Sequence, residues 1–280
     1  MSLASYRERA KGRYYRTGAR LFCRRPFAIE SKVPLVSFTF DDFPRSALLT
    51  AGKTLEAFGA RGSYYAALSL MGSEAPSGAM FVLDDLHAVL ERGHELGCHT
   101  FGHCHSWETP PAAFERSVIE NRRALQSLIP EASFRTLAYP IEAPRVGTKR
   151  RMGKHFSCCR GGGQVANVGD ADLNYLSAYF LEKSRDNLDA VREAIEANRR
   201  ANSWLIFATH DVSESPSPYG CTPGFFEAVV ACAAGSGARI LPVVEAWQEL
   251  SGSSPAANSR PGVLEEGRGT RSAIGASGVR

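Results

Sequence analysis

No apolar run in the sequence is long enough to cross a bilayer, and no segment repeats another. Charge of one sign is scarce in excess: 33 Lys and Arg stand against 29 Asp and Glu, a formal net charge of +4. That balance gives little support to a nucleic-acid role. The seven cysteines are an odd number without regular spacing, and Cys158 and Cys159 are adjacent. This suits neither a disulfide framework nor a zinc ribbon. Reduced thiols in a cytoplasmic protein are the simplest account. The N-terminal stretch has no apolar core followed by a small-residue cleavage site, so no secretory signal is expected there.

What is present is an ordinary globular composition, 44% hydrophobic and 22% charged over 280 residues. It suits one large α/β domain or two small ones. Much of the positive excess lies in an arm over residues 1–32, where Arg7, Arg9, Lys11, Arg13, Arg16, Arg20, Arg24 and Arg25 crowd together. The arm could touch an anionic membrane surface; a solvated helix or frayed tail is the simpler reading. From 251 to 280 Gly, Ser, Ala, Pro and Arg dominate, and a disordered tail is expected.

Between these ends strands alternate with helices. Strands are expected over 33–40, 63–68, 94–98, 134–139, 155–159, 176–181, 204–209 and 239–244. Helices are expected over 46–58 with a cap at Ser46, over 84–92, from Pro110 or Pro111 to about 128, and over 147–154, 187–200, 222–234 and 244–250. Such alternation implies a mainly parallel sheet with helices outside it. Polar residues placed just after apolar strands, Asp41-Asp42, Tyr139-Pro140 and His210-Asp211, lie where α/β folds assemble their sites.

Two polar stretches carry the chemistry. Ser37-Phe38-Thr39-Phe40-Asp41-Asp42 ends a buried strand on consecutive carboxylates, which strand alternation points in different directions. Gly97-Cys98-His99-Thr100-Phe101-Gly102-His103 offers two imidazoles four residues apart, which one helical turn would bring to the same side. One aspartate oxygen and two histidine nitrogens form a normal ligand set for a catalytic divalent metal with an open position. The other aspartate is then free to act as a base, and spacing alone leaves open which is which. Taken singly, Asp-Asp after a strand is more often a helix cap, and His-x-x-x-His more often two surface histidines; their joint occurrence reverses that.

At these residues the sequence resembles the polysaccharide deacetylase family, which includes the nodulation chitooligosaccharide deacetylases. Thr39-Phe40-Asp41-Asp42 is similar to the family's first motif and His99-Thr100-Phe101-Gly102-His103 to its second. The resemblance continues through Tyr139-Pro140 and Ala208-Thr209-His210-Asp211, and spans roughly residues 33–250. It implies a distorted, incomplete (β/α) barrel in a single domain. It also implies Asp42, His99 and His103 as ligands of a divalent ion, zinc first and cobalt or another metal second. Asp41 would be general base and His210 general acid, with Asp211 either orienting His210 or facing away. A backbone N–H near Tyr139 would help hold the oxyanion.

Three departures stand out. Phe43 occupies the family's usual glycine position. The arginine expected near the third motif could be Arg135, Arg145 or, the preferred choice, Arg160, holding the base aspartate. No aspartate-tryptophan segment supports the acid histidine; Asp170 or Asp172 is the candidate to replace that aspartate. His87, His94 and His155 read as structural, and Cys98, Cys104 and His105 as bystanders of the histidine segment. Arg145, Lys149 and Arg150 could line a groove for an anionic glycan, a solvated helix face being the simpler account.

The expected activity is removal of N-acetyl groups from a glycan containing N-acetylglucosamine, with release of acetate. Alternatives are hydrolysis of O-acetyl esters or cyclic amides, a non-catalytic carbohydrate-binding relic, and an adaptor that binds through the basic arm.

Overall fold

The computed structural model describes residues 3–141, 143–184 and 187–252; the remainder of the expected tail, from residue 253, lies outside the described residues. The chain runs α1 (Leu3–Leu21), β1 (Pro26–Ile29), β2 (Leu35–Phe40), a π-turn (Ala47–Gly52) leading into α2 (Lys53–Ala57), and β3 (Ser63–Ala66). A small hairpin of β4 (Glu74–Ala75) and β5 (Gly78–Ala79) precedes α3 (Leu83–Glu91), β6 (Glu95–Cys98) and α4 (Pro111–Leu128). Then come β7 (Thr136–Ala138), α5 (Val146–Met152), β8 (Cys158–Arg160), β9 (Gly169–Asp172) and β10 (Tyr179–Phe180). The chain continues through α6 (Leu188–Ala201), β11 (Trp204–Thr209), α7 (Pro223–Gly235), β12 (Arg239–Ile240) and α8 (Val243–Ser251).

The main sheet has the order β10-β11-β2-β3-β6-β7-β8, with β12 also paired to β2. Each of its strand pairs is parallel. It curls so that the segment before β10 meets the far edge, where Arg160 bridges Leu176. The result is the expected distorted, incomplete barrel. Strands buried on both faces read as continuous apolar runs, and β2 and β11 are buried throughout.

Alternation along these strands sorts the side chains into two layers. Val36, Phe38, Phe40, Tyr64, Leu96, Leu137, Cys159, Leu205 and Phe207 pack with the helix-side core. Leu35, Cys158, Trp204, Ile206 and Ala208 fill the inner cluster. Counting by twos along the inner face leads from Leu35 to Asp41, from Trp204 to His210, from Cys158 to Arg160 and from Glu95 to His99. The barrel's interior therefore ends in polar groups.

Several local expectations change. Ser46 is itself helical, with φ −60° and ψ −28°, and makes no side-chain cap; its hydroxyl accepts from Val212 N instead. The strand expected over 176–181 is confined to Tyr179–Phe180, because Leu176 turns to exchange backbone hydrogen bonds with Cys159 and Gly161. Asn187 and Thr222 do cap α6 and α7, accepting from backbone N–H groups of their first turns.

The N-terminal arm is no frayed tail over its described length. Ala19 is fully buried, Tyr15 packs on Trp107, and β1 pairs antiparallel with β9. The Arg25 guanidinium donates to the carbonyls of Gly153, Phe156 and Ser157. Lys149 lines no groove: it is fully buried, and its ammonium donates to Ala19 O, Phe22 O and the Asp172 carboxylate. An ammonium taken out of water must be paired, and the arm supplies two of its three partners.

Candidate metal centre and active site

β2 and β11 run side by side with Phe40 level with Thr209, and Asp41 N–H continues the pairing by donating to Thr209 O at 3.0 Å. The aspartate pair and the His210 segment thus leave the sheet together. Asp42 and Phe43 are both left-handed, with φ of 62° and 60°, a conformation that side chains other than glycine's resist. Packing offsets the cost. The Phe43 ring is fully buried, stacked on Phe81 at 5.0 Å between centroids and tilted against Tyr64 at 4.9 Å. This turn aims Asp42 away from Asp41 and toward the histidines.

The histidine segment is not a helical turn. His99 follows β6, and a loop in which Thr100 and His103 have φ of 61° and 49° folds the second imidazole back onto the first. Ser117 Oγ accepts from Phe101 N and Gly102 N, while Thr100 Oγ1 accepts from Cys104 N. The two rings lie 5.1 Å apart between centroids. Cys98 turns to the helix-side core, accepting from Asn121, and His105 accepts from Trp107 N.

One ligand atom each from Asp42, His99 and His103 falls within 4.8 Å of the others. Asp42 Oδ1 stands 3.4 Å from His99 Nε2 and 3.1 Å from His103 Nε2, yet it is buried without a hydrogen-bond partner. Burial outweighs Asp41 and Asp42 and pushes His99 down to about 4, so its ring is neutral at pH 7. His99 Nδ1 lies 2.9 Å from Ala138 O; it must carry the proton there, leaving the Nε2 lone pair facing Asp42. Two lone pairs turned on each other need a cation between them, and a backbone carbonyl fixing the far nitrogen is the usual support of a ligating histidine. The residues fit a divalent metal.

Asp41 is buried, which opposes its charge, but the positive charge around it, Arg160 first, outweighs burial and holds its carboxyl below the ordinary value. The Arg160 guanidinium donates to Asp41 Oδ1 and lies between the rings of Tyr65 and Phe180, 5.2 and 5.6 Å from their centroids. Arg135 is exposed, and Arg145 donates to the carbonyls of Trp107 and Glu108. Of the three arginines, Arg160 reaches the aspartate.

His210 Nε2 lies 4.0 Å from Asp42 Oδ2, and its Nδ1 is buried without a hydrogen-bond partner. Asp211 faces away, accepting from Ser217 N and Ser217 Oγ. Neither aspartate expected to support His210 does so: Asp170 pairs with Arg24 and Asp172 with Lys149. Glu182, which the motifs do not include, is the carboxylate beside it. Phe180 is level with Ala208, so Glu182 continues that register to His210. Its Oε2 is likewise buried without a partner, and burial pushes its carboxyl up while His210 and Lys183 pull it down. Its signal is the one that marks the other site residues, a charged side chain just past a strand.

Tyr139 and Pro140 do not serve as expected. Tyr139 has the outward parity of its strand and packs in the helix-side core, its hydroxyl donating to Asn174 O. Its N–H is committed to Arg160 O at 2.9 Å, and proline has none. Pro140 O accepts from Ser106 Oγ. The next residue, Ile141, is exposed and held at φ 68°.

Residues 28–153 match the sequence profile described as Polysaccharide deacetylase, while no curated protein matches the chain. Among solved structures, the chitin deacetylase of the fungal pathogen Colletotrichum lindemuthianum is similar at 17% identity and TM-score 0.57, covering 80% of this chain and 90% of that one. A family 4 acetyl xylan esterase from Clostridium thermocellum, in complex with a cobalt ion, matches at 17% and 0.55, over 79% and 93%. A family 4 pseudoenzyme from Bacillus anthracis matches at 10% and 0.53, over 79% and 67%. Residues 28–153 thus match the profile of the family that the motifs resemble, and the described body has the fold of these solved deacetylases and esterases. Among the described residues no helix is long and apolar enough to cross a membrane.

Proposed function

We propose that the protein is a metal-dependent hydrolase that removes N-acetyl groups from a glycan containing N-acetylglucosamine. The carrying observation is the Asp42–His99–His103 cluster, with a buried, arginine-paired carboxylate on one side and His210 on the other. A divalent ion held there, zinc or cobalt, would supply Lewis acidity, polarising the acyl carbonyl and making water more acidic. Asp41 takes the proton of the attacking water, and its pairing with Arg160 keeps it ionised and oriented for that task. As the C–N bond breaks, His210 Nε2 gives a proton to the departing amine, leaving acetate and the free amino sugar. Glu182, whose buried Oε2 and the buried His210 Nδ1 both lack a partner, is the carboxylate that would accept the Nδ1 proton on a small closing movement and hold the ring with Nε2 toward the site. The loop donor for the oxyanion is Ile141 N–H, the first past Tyr139 and Pro140. The free cysteines support a reducing, cytoplasmic setting.

The presence of an acetyl xylan esterase among similar structures supports a second reading, cleavage of O-acetyl esters by the same groups. Acetate release from N-acetylglucosamine oligomers, acetylated xylan and a cyclic amide, with zinc or cobalt supplied, separates the readings. Asp41→Asn is expected to lower the rate by about 10²–10⁴ with bound metal, measured by elemental analysis, unchanged. Absence of turnover on every substrate in every metal form would establish a non-catalytic relic.

A further inference from the structure

We propose that the outward face of α1 docks on an anionic lipid membrane. The helix is a fixed part of the molecule: Ala19 is buried, Gly18 approaches Val146, and Lys149 holds the carbonyls at its C-terminal end. It carries six Lys or Arg and a single glutamate. With Tyr15, Gly18 and Ala19 facing inward, the 3.6-residue repeat turns Arg13, Thr17 and Arg20 outward, and all three are exposed.

Charge is half of the observation. Tyr14, Leu21 and Phe22 are 74%, 64% and 58% exposed, and Val168, across a cavity of about 210 Å³ that it shares with Arg20 and Arg24, is 55% exposed. Tyr14 and Leu21, seven residues apart, share one flank of α1 beside the arginines, and Phe22 is exposed at its C-terminal end; large exposed apolar side chains beside arginine mark an interaction surface. A polyanion groove needs the arginines alone. A lipid surface uses both, apolar side chains entering the headgroup boundary while guanidinium groups meet anionic phosphates. Arg24 is paired with Asp170, so Arg13 and Arg20 carry the electrostatic part.

This inference is independent of the deacetylase reading. The test is co-sedimentation of the full chain with phosphatidylcholine vesicles, with and without phosphatidylglycerol. Wild type is expected to pellet with the anionic vesicles and to be released by salt. Arg13→Gln with Arg20→Gln should weaken binding roughly thirtyfold, about fivefold per charge removed. Leu21→Ser with Phe22→Ser should weaken it at least about tenfold. All four positions are exposed, and circular dichroism with a thermal melt confirms that each variant is folded. The proposal is overturned if wild type ignores anionic vesicles, or if folded variants bind as wild type does. It is equally overturned if an oligonucleotide displaces the protein from vesicles and Leu21→Ser with Phe22→Ser changes nothing, which would make the face a polyanion site.

Discussion

Arg160→Ala would leave Asp41 buried without its guanidinium partner. Burial alone raises a carboxyl, and a neighbouring arginine ordinarily lowers one by about one to three pH units. The acidic limb of the pH–activity profile should therefore move upward by at least about one unit, and kcat/KM below neutrality should fall at least about tenfold. Arg160→Lys should recover part of the shift, because charge survives while the flat contact with Tyr65 and Phe180 is lost. A pH–rate series on the three proteins checks this. At this scale the sequence is most readable where chemistry is concentrated in short motifs. Asp41, Asp42, His99 and His103 can be named from order and spacing, and His210 from the resemblance and its place after an apolar strand. Asp170 and Asp172 mislead because nothing in the chain announces that they pair with Arg24 and Lys149. Tyr139 misleads only where its parity along the strand is left uncounted. Two residues back along Tyr139's own face is Leu137, a helix-side core residue, and that apolar period is written in the sequence itself.

Among the elements, the seating of α8 has its own titration. Glu95 lies inside the barrel, fully buried at its carboxyl, where Oε1 accepts from Thr136 Oγ1 and Oε2 accepts from Ser63 Oγ and from Val244 N in the first turn of α8. Burial outweighs these donors and raises its carboxyl above the ordinary value of 4.5. Its sign follows: as pH rises from the ordinary carboxylate range, the unfolded chain releases the proton while the folded chain retains it, so stability falls until the folded group ionises. Glu95→Gln, nearly the same shape, should remove that slope and gain on wild type as pH rises; urea unfolding midpoints between pH 4 and pH 8 measure it. Glu95→Ala should cost about 1–3 kcal/mol at any pH, since it strands buried donors. Elements with long apolar runs, β2 and β11, are legible nearly to the residue. β8 and β10, three and two residues long, are displaced from or shorter than the stretches the sequence suggests, because so short a strand is set by its neighbours rather than its own composition.

For the whole molecule, the arm and the barrel form a single described body, joined at Lys149. Lys149→Met would leave Asp172 buried without its ammonium and two arm carbonyls without a donor. Removing one partner of a buried pair costs about 3–5 kcal/mol. Global unfolding should shift accordingly, and trypsin should cut the arginine-rich α1 sooner than in wild type. None of this is legible in the chain, since a lysine in a basic stretch reads as solvated and burial depends on partners about 130 residues away. The sequence profile match ends at residue 153, before Arg160, Glu182 and His210. These three come to the site through the sheet's closure, which spacing along the chain does not reveal.

The proposed base and acid sit on adjacent strands whose ladder extends to Asp41 itself. Their separation is consequently a property of the backbone and cannot drift as surrounding loops lengthen, shorten or change composition. Adaptation to a new acetylated substrate can proceed through those loops while the reacting geometry stays constant, much as a tool keeps its jaw when the handle is replaced.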